Sequence, residues 1–73
     1  MDAVKQFKVT VNVRYVEGIY GADGHYVAEA EVAATTGRRI CRSGECSART
    51  EMTAISYALT AVGEAAHRGE WKT

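Results

Sequence analysis

One segment of this chain has sustained helical periodicity, Ser47 to Arg68, and everything else has to cover it. Met52, Ile55, Leu59, Val62 and Ala66 recur at steps of three and four, which predicts a single helix face. Ala54, Ala58, Ala61 and Ala65 form a second stripe beside the first. Thr53, Ser56, Thr60, Glu64 and His67 take the remaining face. A lone helix with so wide an apolar arc needs a sheet to lie on.

That sheet is legible upstream. From Gln6 to Val16 the chain alternates without a fault: Phe7, Val9, Val11, Val13 and Tyr15 face one way, Gln6, Lys8, Thr10, Asn12 and Arg14 the other. This predicts a half-buried strand with one wet face. Val16 to Ala22 continues more loosely, and Ala22-Asp23-Gly24-His25 carries an Asp-Gly pair suited to a tight hairpin turn. Tyr26 to Ala34 alternates again, and its small Ala28, Ala30 and Ala34 suit a closely approaching helix. Thr35-Thr36-Gly37-Arg38 reads as the next turn. Arg39 to Glu45 reads as a shorter third strand with a bulge at Gly44. Ser47 or Thr50 is placed to cap the helix, with Glu51 in its first turn. The helix fades near Gly69, and Trp71 is expected to fold back onto the body. The reading is a single α+β domain over 1-73: a three-stranded antiparallel β-meander with one long C-terminal helix packed on one face.

A chain of 73 residues buries only roughly 60% of the surface its unfolded form exposes. Homodimerisation would compensate, and the alanine stripe offers a flat surface for it, although the same stripe could equally rest on the sheet. Nine Lys plus Arg balance nine Asp plus Glu, which argues against a dedicated polyanion binder. No apolar run approaches twenty residues, so no membrane span is expected. The N-terminal residues Met1 to Gln6 lack a signal-peptide core, which makes the cytoplasm the default compartment and Cys41 and Cys46 free thiols.

Few residues suggest chemistry. Cys41 and Cys46 are five apart, outside the usual zinc-pair spacing, and on a straight strand an odd offset sends them to opposite faces. No third group orients a Cys–His nucleophile pair. Glu51 suits the positive end of the helix dipole, or a metal- or phosphate-directed role at a helix start. Neither a cofactor nor catalysis is expected. Two surfaces are candidates for binding. Lys8, Asn12 and Arg14 line the polar face of the first strand, with Tyr20 and Tyr26 near the first hairpin as exposed aromatics. Arg38, Arg39, Arg42 and Arg49 gather around the second turn, third strand and helix entry as a possible phosphate or carboxylate dock.

The run Ala48-Arg49-Thr50-Glu51-Met52-Thr53-Ala54-Ile55-Ser56-Tyr57-Ala58-Leu59 resembles the first helix of the ribonuclease H-like fold, and would put Glu51 at that family's metal-binding glutamate. The first strand, however, offers Asn12, Arg14 and Glu17 where that family carries an Asp-Gly-Ser metal site, so the converging carboxylates of two-metal hydrolysis are missing. The same topology resembles the strand-strand-strand-helix half of double-stranded RNA-binding domains. Asp23-Gly24-His25-Tyr26-Val27-Ala28 is similar to HicB-type antitoxin domains, without their Pro-Gly-Cys turn. In size, charge balance and want of a catalytic constellation the chain resembles small bacteriophage accessory proteins, anti-CRISPR proteins among them. The resemblance implies a non-enzymatic inhibitor that occupies a host protein or nucleoprotein complex. The alternative is a nucleic-acid-binding module built on the four arginines.

Overall fold

The computed structural model describes residues 6–34 and 39–72. The expected turn at residues 35–38, with Arg38, lies outside the described residues, as do residues 1–5 and Thr73. The elements are β1 (Phe7–Val16), β2 (His25–Ala34), β3 (Ile40–Arg42), β4 (Cys46–Ala48) and α1 (Glu51–His67). β2 is central. β1 pairs with it antiparallel over ten residues, from Phe7 opposite Ala34 to Val16 opposite His25. β3 and β4 share its other edge, both antiparallel. α1 packs across one face, so the α+β meander with a C-terminal helix is the observed fold.

The third strand comes in two pieces because it carries one residue too many. Cys41 stands opposite Val32 and Cys46 opposite Ala28, so five steps on the outer strand match four on β2. The surplus is taken up at Ser43–Glu45, a bulge, with Gly44 at φ +77°. The Ser43 N–H donates to the Ala30 carbonyl, and the Ser43 hydroxyl accepts from the Ala30 N–H, both at 2.9 Å. A side chain thus stands in for the missing ladder acceptor. The bulge corrects one expectation: Cys41 and Cys46 do not face opposite ways but both pack toward α1, Cys41 inside the core and Cys46 at its margin.

The first hairpin also turns elsewhere than at Asp23-Gly24. The register of β1 on β2 centres the connection between Tyr20 and Gly21. The Ala22 N–H donates to the Ile19 carbonyl at 3.2 Å, and Tyr20 (φ +56°) and Gly21 (φ +81°) both take left-handed backbone. That pattern of two positive φ angles is a type I′ turn, whose twist matches the flanking strands. Gly24 is required for another reason, since a Cβ there would stand 2.0 Å from the Tyr15 hydroxyl.

Of the two helix stripes, the alanines win the sheet. Ala54, Ala58, Val62 and Ala65 are buried, against Ala28, Ala30 and Cys41 below. Met52 is 73% exposed and Leu59 42%, so the larger side chains lie on the helix flank instead. Small residues on both layers let the backbones approach closely, and that contact excludes the alanine stripe as a dimer surface. Thr50 is the N-cap, its hydroxyl accepting from the Thr53 N–H at 3.2 Å. At the far end Gly69 (φ +81°) donates to the Ala66 carbonyl and Glu70 to the Ala65 carbonyl, the paired bonds of a Schellman motif. This folds the tail back: the Trp71 indole N–H donates to the Ala66 carbonyl at 3.2 Å, and its ring lies 5.9 Å from Phe7. Lys72 and Ile40 exchange backbone hydrogen bonds, which extends the sheet by one bridge.

Candidate binding surface

Because α1 covers one face of the sheet, the other is open. Strand alternation places Lys8, Thr10, Asn12 and Arg14 there from β1, with Val27, Glu29 and Glu31 from β2 and Arg42 from β3. Both arginines on this face are matched by carboxylates. Arg14 is ion-paired with Glu45, which reaches from the bulge across β2, and Arg42 is paired with Glu31 at 3.3 Å. Val27 is buried beside the Arg14–Glu45 pair, and all three line one depression with Asn12 and Glu29. Both pairs are well exposed and contribute at most about 1 kcal/mol each to stability. Their effect is on the surface field, which alternates in sign.

The proposed contact residues divide among three places. Lys8, Asn12 and Arg14 share the open face. Tyr26 does not join them: it stands on the helix side, half-buried, with its ring edge-on to Tyr15 at 5.1 Å between centroids. Tyr20 projects from the hairpin tip fully exposed, beside the exposed Ile19. Tyr20 stands out in the sequence for its type and its place near the first hairpin; its left-handed backbone is a second signal, visible only once the turn is placed.

The described arginines of the alternative patch are likewise spread out. Arg39 lies over the Trp71 ring, 5.5 Å from its centroid, at the end of the sheet where α1 finishes. Arg49 precedes the N-cap at the opposite end, about 25 Å away along a 17-residue helix. Arg42 is held by Glu31 on the open face. Arg68, unnoticed in the sequence, is bonded to Glu70, and that carboxylate raises its pKa further.

Two surface depressions, of about 160 and 140 Å³, are lined by Ile40, Arg42, Glu70 and Lys72 and by the Arg14–Glu45 group respectively. Ligand pockets usually span roughly 300–1,000 Å³, so neither has the volume to enclose a small organic substrate. Among the described residues no group of three or more His, Cys, Asp or Glu converges on one point, and Glu51 is exposed in the first turn of α1. No helix among them is long and apolar enough to cross a membrane. Comparison with protein-family models, with characterised proteins and with solved structures returned no match to this chain.

Proposed function

We propose that this chain is a non-enzymatic binding protein that occupies the surface of a host protein or nucleoprotein complex in the cytoplasm, in the manner of small phage-encoded inhibitors. The observation that carries the reading is Tyr20. A non-glycine residue in left-handed backbone costs about 1–2 kcal/mol, and Tyr20 is fully exposed, with no burial to offset that cost. The β1–β2 register imposes left-handed backbone at this position, and a tyrosine kept there, where asparagine or glycine would be less strained, supports a contact role for its side chain. Tyrosine supplies large, rigid contact area with a polar tip. Along β1, Arg14, Asn12 and Lys8 line the open face and add an alternating-sign pattern suited to selecting a partner.

Binding to free nucleic acid is the less favoured reading. The arginines are dispersed or matched by carboxylates, whereas polyanion binding needs several unmatched cations along one track. Capture with tagged wild-type protein and the Tyr20→Asn and Arg14→Glu variants tests the proposal. Wild type retains a discrete complex that both variants lose. Equal retention by all three forms, or capture of nucleic acid alone, contradicts it.

A further inference from the structure

We infer that this chain forms a two-fold homodimer through the free edge of β1. Among the described residues β1 is an edge strand of ten residues without proline or bulge. Natural edges are usually blunted by those devices, by charged side chains or by an inward-pointing charge; the charges of β1, Lys8 and Arg14, both lie on the open face, and all five inward positions are apolar: Phe7, Val9, Val11, Val13 and Tyr15.

The unpaired backbone groups belong to these apolar residues. Ala30 spends both its N–H and its carbonyl on Ser43, on the β3–β4 side. In an antiparallel ladder its β1 neighbour Val11 must then aim its own pair away from β2, and Val9 and Val13 follow by alternation.

Beside that edge runs an apolar strip. Phe7, Val9 and Tyr15 are each more than half exposed although they face the helix side. The helix supplies the other wall. α1 runs the same way as β2, since it starts beside Ala48, opposite Tyr26, and ends where Trp71 meets Phe7, opposite Ala34. Viewed from the helix with β2 running upward, the handedness of L-residues puts the strand bonded to Ala30 on the right and β1 on the left. A right-handed helix seated on Ala54, Ala58 and Ala65 then turns Ile55, Leu59 and Met52 to the left, toward β1.

A second copy fits this edge on two counts. It would cover, once on each copy, the exposed apolar strip of Phe7, Val9, Tyr15, Met52 and Leu59, which nothing else among the described residues covers. Charge then selects the register. With Val11 on the two-fold axis, Lys8 would face Arg14 of the other copy twice, a destabilising like-charge apposition. With Asn12 on the axis, Lys8 through Val16 all pair, Val11 meets Val13, Val9 meets Tyr15, and Thr10 meets Arg14. The two sheets become one, with both helices on the same face and their Leu59 flanks across a shared apolar seam.

Sedimentation equilibrium tests this directly. Wild type at tens of micromolar sediments at twice 7.9 kDa. Val9→Lys, at a site already 52% exposed in the monomer, raises the dissociation constant at least about tenfold with the helical circular dichroism unchanged. Asn12→Cys in a Cys46→Ser background crosslinks under mild oxidation, whereas Thr10→Cys does not, because Thr10 is held opposite Arg14. A wild-type mass of 7.9 kDa overturns the inference, as it would if the edge received a foreign strand. So does a dimer unaffected by Val9→Lys, or one that crosslinks equally through Thr10→Cys.

Discussion

Cys41 and Cys46 point to the same side of the sheet although they are five positions apart, Cys41 opposite Val32 and Cys46 opposite Ala28. They lie roughly 14 Å apart along the strand, well beyond disulfide reach. Cys41 is buried in the core, while Cys46 is half-exposed. Alkylation of the native protein should therefore label Cys46 first and Cys41 only as fast as the protein opens, as followed by mass spectrometry. Equal labelling rates without denaturant would show that the bulge does not turn Cys41 inward.

The contact between the two alanine layers predicts an inverted mutational pattern. Ala58→Leu adds volume where helix and sheet backbones are closest, and should cost about 1–3 kcal/mol or more in urea unfolding. Met52→Ala, on the exposed flank, should change stability by less than about 1 kcal/mol. The reverse ranking would mean that the larger side chains hold the sheet.

The helix ends give a third expectation. Thr50→Ala removes the hydroxyl that accepts from the Thr53 N–H, and Gly69→Ala puts a Cβ on left-handed backbone. Each should lower stability by about 1 kcal/mol. The sites are a helix length apart, so the double variant should lose the sum in the same urea titration. A clear shortfall would indicate that the helix ends do not act independently.

How much of this was legible in the sequence depends on which interactions are local. The alternation of Phe7 through Tyr15 and the periodicity of Met52 through Ala66 report burial directly, and both elements lie close to where those patterns put them. Residue type and position narrow the cap to Ser47 or Thr50, of which Thr50 is the one used, and they give the return of Trp71. Choosing between Met52–Leu59 and Ala54–Ala58 as the seated stripe needs knowledge of the opposing surface, because a helix takes the narrower stripe when Ala28 and Ala30 let it come close. The hairpin is similar: the ten-residue register with β2 overrode the local preference of Asp23-Gly24 and placed the turn on Tyr20-Gly21. The dispersal of Arg39, Arg42 and Arg49 is likewise a product of topology, since neighbours in sequence were carried to different ends and faces.

That dispersal predicts weak, shallow behaviour toward nucleic acid. In fluorescence anisotropy with mixed-sequence DNA and RNA, the protein should show no saturable binding and no steep slope of log affinity against log salt. A slope near that expected for several phosphate contacts, abolished by replacing Arg38, Arg39, Arg42 and Arg49 with glutamine, would favour a nucleic-acid module instead.

The most direct measurement pairs stability with partner retention in Tyr20→Asn. Asparagine tolerates left-handed backbone and Asn-Gly suits a type I′ turn, so the variant should unfold at higher urea, by about 0.5–1 kcal/mol. The same variant should fail to retain the host complex that wild type captures. A stabilised Tyr20→Asn that still holds its partner would contradict the claim that the exposed tyrosine is kept for contact.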